Sequence, residues 1–196
     1  MQSSLNTPRE SRDRNHHAPS RADLLAARGK TVPDVIARHL RVLFCGINPG
    51  LYSGATGHHF ARPGNRFWSA LHQAGFTPRL LVPAEEKTLL QYGLGVTNLI
   101  ARTTAAADEL TNAELVASCR RLRAKVTRYE PRILAVLGVG AYRIAFGRSK
   151  AMIGPQDESL DSTALWVLPN PSGLNAHYQM RELVQIFREL RKAASS

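Results

Sequence analysis

The chain has 196 residues, 43% of them hydrophobic, enough for one domain with a sizeable core. Lysine and arginine number 26 against 15 acidic residues, and the formal charge of +11 favours polyanionic partners through counterion release. No run approaches the roughly 18 apolar residues that span a bilayer, and the polar N-terminus lacks the apolar centre of a secretory signal. Two cysteines make neither a disulfide framework nor a metal cluster, so Cys45 and Cys119 read as small buried positions in a reducing cytoplasm.

Residues 1–30 are polar and rich in Ser, Arg, Asn and His. They read as a flexible basic tail, either touching phosphates or serving as a leader without function. Within them, residues 22–27 are weakly periodic and suit a short helix; residues 33–39 suggest a turn of helix before the first strand. Residues 42–45, Val-Leu-Phe-Cys, form the continuous apolar run of a parallel strand covered on both faces. Gly46 permits close backbone approach, and Pro49 and Gly50 force a turn. Asn48 therefore stands at the carboxyl end of a buried strand, where open α/β sheets bind ligands. On spacing alone, an Asn there turns or caps the backbone more readily than it does chemistry.

Residues 51–64 read as a long loop. His58 and His59 are adjacent, cannot share a helix face as metal ligands would, and read as a solvated pair. Helical spacing returns with Phe67, Trp68 and Leu71. Residues 83–92 suit another helix, with Pro83 in its first turn and Glu85 and Glu86 placed for its dipole. Residues 96–100 are the second strand and run into Arg102-Thr103-Thr104. Asp108 follows, as a candidate auxiliary base or simply the residue before the next helix cap. Thr111 and Glu114 form a capping box with Leu110 and Leu115 as staple. The helix they start buries Leu115, Cys119, Leu122 and Val126 and presents Arg120, Arg121, Arg123, Lys125 and Arg128 as a solvated basic surface.

Residues 133–137 are the clearest strand. Gly138-Val-Gly140 then opens a helix, but Arg143 stands where a dinucleotide fingerprint needs its third glycine. A Gly-rich loop at 153–162, a strand at 164–168 and a rigid polar loop at 169–175 follow, the last carrying one exposed apolar residue, Leu174. A final helix over 179–192 buries Leu183, Ile186, Phe187 and Leu190. Alternating strands and helices predict a single doubly wound α/β domain over residues 31–196, its mostly parallel central sheet flanked by helices on both faces. Asn48, residues 97–104 and residues 169–175 should gather along one sheet edge.

Three separated stretches, Gly46-Ile-Asn-Pro-Gly50, Gly95-Val-Thr-Asn-Leu-Ile-Ala-Arg-Thr-Thr104 and Leu168-Pro-Asn-Pro-Ser-Gly-Leu174, resemble the mismatch-specific uracil and thymine DNA glycosylases of the uracil-DNA glycosylase superfamily. Phe60 and Asn65-Arg-Phe-Trp68 match as well, and the similarity runs from about Arg41 to Lys192. The resemblance implies hydrolysis of the N-glycosidic bond of uracil flipped out of a G·U mismatch in double-stranded DNA, by a cofactor-free monomer. It implies that Asn48 holds the attacking water with help from Thr104, and that Phe60 stacks on the base. Backbone groups of Ile47 and Phe60 and the Asn98 side chain would meet the base's polar edge, and Ser53 would lie near its C5. Asn170, Ser172, Gly173, Leu174 and Asn175 would contact DNA, the last three as a wedge. Ala176 stands where bacterial relatives carry Arg, which implies weaker recognition of the opposite guanine. Broader action on single strands or modified pyrimidines stays open, as do a damage-binding module without catalysis and a nucleotide site at Gly138.

Overall fold

The computed structural model describes residues 18–195. Five strands form one sheet in the order β2-β1-β3-β5-β4: β1 (Val42–Gly46), β2 (Leu94–Asn98), β3 (Ile133–Leu137), β4 (Gly154–Leu160) and β5 (Thr163–Leu168). β1 pairs in parallel with β2 and β3, β3 in parallel with β5, and β4 runs antiparallel on the outer edge. The chain moves from β1 outward to β2 and then to β3 on the other side of β1. That reversal opens a crevice at the strands' carboxyl ends.

Alternate residues of β1 explain why all five of its positions are buried. Val42 and Phe44 face one core with Phe67, Trp68, Leu183 and Phe187 from α3 (Phe67–Gln73) and α6 (Met180–Ala193). Leu43 and Cys45 face the other, with Leu115, Leu122 and Val126 of α4 (Asn112–Tyr129) and Tyr142 of α5 (Val139–Phe146). The Thr111–Glu114 capping box opens α4 as its sequence indicates. Residues 83–92 form a 3-10 helix, Pro83–Tyr92, closed by Gly93 in the left-handed region.

Several expectations need correction. Residues 51–64 are not one loop: α2 (Leu51–Thr56) runs between Gly50 and left-handed Gly57. Its helical signal is weak because Ser53 and Gly54 are buried, Gly54 so close to Thr103 that a Cβ would come within 2.6 Å of its hydroxyl. Residues 33–39 form no helix: Val35 exchanges both backbone hydrogen bonds with Val96, and the stretch ends in a turn at residues 38–39. This bridge covers the otherwise open edge of β2. The expected loop at 153–162 contains β4, whose Gln156, Asp157 and Glu158 disguise an edge strand that tertiary pairing imposes. Residues 1–17 of the expected tail lie outside the described residues. Residues 18–30 pack on the domain: α1 (Arg21–Ala26) has a Ser20–Asp23 capping box, and Ala27 is fully buried. No helix is long and apolar enough to cross a membrane among the described residues.

Candidate active site

At the crevice beside β1 lies a cleft of about 190 Å³. Asn48, Phe60 and Leu174 all line it, although the first and last stand 126 positions apart in the chain.

Asn48 is held in one amide orientation. Its Nδ2 donates to Thr104 Oγ1 at 2.7 Å and lies 3.0 Å from the Pro49 carbonyl and 3.4 Å from that of Arg102. Both carbonyls can only accept. Thr104 commits its hydroxyl hydrogen to the Ala106 carbonyl at 2.7 Å, so toward Asn48 it also accepts. Three acceptors around one end of the amide require the NH₂ there. Oδ1 is left without a donor among the described residues, a fixed acceptor suited to one hydrogen of a water. Among the described residues, no carboxylate lines the cleft.

Phe60 has φ +52°, a left-handed backbone that costs a non-glycine residue about 1–3 kcal/mol. This bend lays its ring on Phe67, centroids 4.1 Å apart and planes 27° apart. The Ala61 amide after it donates to Ser53 Oγ, which ties the turn to α2.

Opposite Phe60 is Asn98, and its orientation is fixed by His59. His59 Nε2 lies 3.0 Å from the Pro33 carbonyl and so carries the hydrogen. Nδ1 is then the acceptor for Asn98 Nδ2 at 3.2 Å, and Asn98 turns Oδ1 toward Gly46 and the cleft. The His59 amide donates to Glu86 Oε2 at 2.8 Å. His59 is thus 2% exposed, not a solvated residue; His58 leans on Glu86 Oε1 at 3.1 Å.

The family model of the uracil DNA glycosylase superfamily matches residues 33–191. The chain belongs to this superfamily. Uracil DNA glycosylases are hydrolases that act on DNA. Among the residues expected to form a glycosylase site here, Ile47, Asn48, Ser53, Phe60, Asn98 and Thr104 line the cleft. So do Asn170, Ser172 and Leu174 from the loop after β5. Gly173 and Asn175 border neighbouring depressions. Asp108 is exposed on the turn Ala107–Glu109 and does not reach the cleft. We expect Asp108→Ala to leave the single-turnover excision rate within about twofold of wild type, since transfer through the solvent outside the cleft orients nothing.

Sequence reasoning read His59 as solvated and Glu86 as a helix-dipole partner, and gave Arg66 no role of its own. The first two touch only in the folded chain. Arg66 sits inside the matched Asn65-Arg-Phe-Trp68 segment, and its interest lies in what its side chain crosses to reach. Of the basic residues on α4, Lys125 is not simply solvated: it pairs with Asp34 and donates to Thr97 Oγ1 at 2.7 Å. Among the described residues no three His, Cys, Asp or Glu side chains gather as metal ligands would.

Burial holds the His59 pKa below the usual histidine value, against the pull of Glu86 and Asp34 and with the help of Lys125. The unfolded chain therefore takes up this proton first as pH falls. The stability that His59 contributes is complete above about 6.5 and is lost on descending from there through the lower folded pKa. Protonated His59 would also aim an N–H at the Asn98 amide and force Oδ1 out of the cleft. Uracil excision should fall over the same descent, and His59→Phe should flatten that limb of the pH–rate profile.

Proposed function

We propose that this uracil DNA glycosylase excises uracil from G·U mismatches in duplex DNA and leaves an abasic site, as a cofactor-free monomer of the cytoplasm. The observation that carries the reading is the meeting of Asn48, Phe60 and Leu174, far apart in sequence, on one cleft. Flipping a base costs a few kcal/mol, and less from a mismatch, which itself favours G·U over A·U. Leu174, 75% exposed on a loop, forgoes about 1.5–3 kcal/mol of burial in the free protein and would recover it between base pairs. Phe60 offers a stacking face to the extruded ring. Asn98 Oδ1 matches the N3–H of uracil.

As the glycosidic bond lengthens, negative charge grows on the base and positive charge on the sugar. Water held by Asn48 Oδ1 attacks the sugar's anomeric carbon, the base leaves with the bonding pair, and the proton shed by the water passes through solvent to the departing uracil anion. An amide accepts no proton, so Asn48 positions the nucleophile without activating it. Forgoing a carboxylate base costs roughly 100-fold or more in rate, which restricts turnover to good leaving groups.

The test uses end-labelled DNA with one uracil opposite G, opposite A or in a single strand, incubated with protein and then treated with alkali. We expect alkali-labile breaks at the uracil, fastest opposite G. Binding without any break would support a damage-binding module and end the enzymatic reading. A second reading is favoured by Ala176, exposed where the resemblance implies an arginine: equal rates on all three substrates would indicate a broader glycosylase.

A further inference from the structure

The loop that carries Leu174 cannot be held down by its own apolar residue, because that residue points into solvent. Its backbone carbonyls also need donors, since residues 169–178 contain neither helix nor strand. One side chain supplies them. Arg66, at the start of α3, directs Nη2 at the carbonyls of Ser172 and Asn175, both at 2.8 Å. Nη1 donates to the Tyr178 carbonyl and Nε points at that of Pro171 at 3.5 Å. The Arg66 amide donates to Pro171 as well, at 3.0 Å.

Hydrogen bonds inside the loop shape its turns: Ser172 N to Asn170 Oδ1, Leu174 N to Ser172 Oγ, and Asn175 Nδ2 to the Asn170 carbonyl. Between residues 170 and 177, however, every hydrogen bond that reaches another part of the described chain runs to Arg66. The loop is seated so closely on the preceding turn that a Cβ at Gly173 would come within 2.6 Å of the Gly64 carbonyl. Asn65, next to Arg66, lines the base cleft and accepts from the Phe67 amide at the start of α3 at 2.9 Å. Consecutive residues thus fix a cleft wall and the projecting loop.

We propose that Arg66 is a positioning residue that preforms the Leu174 loop, so that the ordering entropy of strand invasion is spent on folding and not on meeting DNA. The proposal rests on the glycosylase reading for its purpose, though the strut itself does not. Fixing a loop of this length before binding removes a cost that otherwise falls on the flipping step. A planar guanidinium with five N–H donors can serve diverging carbonyls at once. A lysine ammonium, with three donors on a flexible stem, cannot reproduce the fork.

Two measurements on the full chain decide it. Hydrogen exchange without DNA reads the loop directly: Arg66→Ala should speed exchange over residues 170–178 by roughly tenfold or more, with Arg66→Lys intermediate. Unchanged exchange would overturn the strut. Single-turnover excision from a G·U duplex is then compared for Arg66→Ala, Leu174→Ala and the double variant. Each single change should cost roughly 10- to 100-fold, and the double no more than about threefold beyond the worse single, because Arg66 acts through the loop that Leu174 occupies. Multiplying losses would show a general structural role and overturn the assignment. Arg66→Lys, which keeps the charge and part of the bonding, guards against simple unfolding of the alanine variant. A wild-type protein without excision would defeat the glycosylase reading alone, and the exchange measurement would still judge Arg66.

Discussion

Asn48→Ala should abolish nearly all excision while leaving DNA binding almost untouched. Its Oδ1 is an acceptor fixed at the cleft by the surrounding Thr104, Pro49 and Arg102 oxygens, and removing a group that orients a reacting water costs roughly 100- to 1,000-fold. Affinity for a G·U duplex should stay within about threefold, since Phe60, Asn98 and the Leu174 loop are unchanged. Asn48→Asp makes a sharper test. A carboxylate looks like an improvement, because it could take the proton that an amide cannot. Here it would face two carbonyl oxygens that only accept, at the positions where Nδ2 now lies 3.0 and 3.4 Å from them. Repulsion would either keep the acid protonated or turn it away from the cleft. We therefore expect the Asp variant to be no faster than wild type in single-turnover assays. An active Asn48→Ala protein would remove Asn48 from the chemistry.

Gly46→Ala should be as damaging for a different reason. Gly46 has an ordinary backbone conformation that alanine shares, so the effect is one of space alone. The added methyl would lie 2.5 Å from Asn98 Oδ1 and 3.4 Å from the Phe60 ring, in the gap that the proposed function gives to the base. Asn98 can retreat only by giving up its bond to His59. We expect uracil excision to fall roughly 100-fold and the melting temperature to drop by a few degrees, the latter reflecting about 1–3 kcal/mol of overpacking. Adding Asn98→Ala to Gly46→Ala should restore stability by clearing the contact, while excision stays low because the polar reader is gone. Recovery of both, or of neither, would contradict the geometry.

Much of this architecture was legible because its signals are local. The Val-Leu-Phe-Cys run, the Thr111–Glu114 box and the periodicity of Leu183, Phe187 and Leu190 each specify their element within a few residues. β4 was hidden because Gln156, Asp157 and Glu158 carry little strand preference and pair only when β5 is already in place. α2 was hidden because a six-residue helix of Leu-Tyr-Ser-Gly-Ala-Thr has no apolar stripe to read. In the cleft, Asn48 stood out through the turn that follows it. His59 did not: its partners Pro33, Glu86 and Asn98 lie 26, 27 and 39 residues away, and nothing near it announces burial.

The ring of Phe60 does not stand alone on its turn. It rests on Phe67, which meets Phe44 edge-on at 5.4 Å, and Phe44 in turn stacks against Phe187 at 6.0 Å. A chain of four aromatic rings thus runs from the cleft along one face of the sheet, past β1, to the last helix. The surface that would receive a base is the visible end of that chain of rings, so it takes its rigidity from the deepest part of the molecule and has no separate softness of its own.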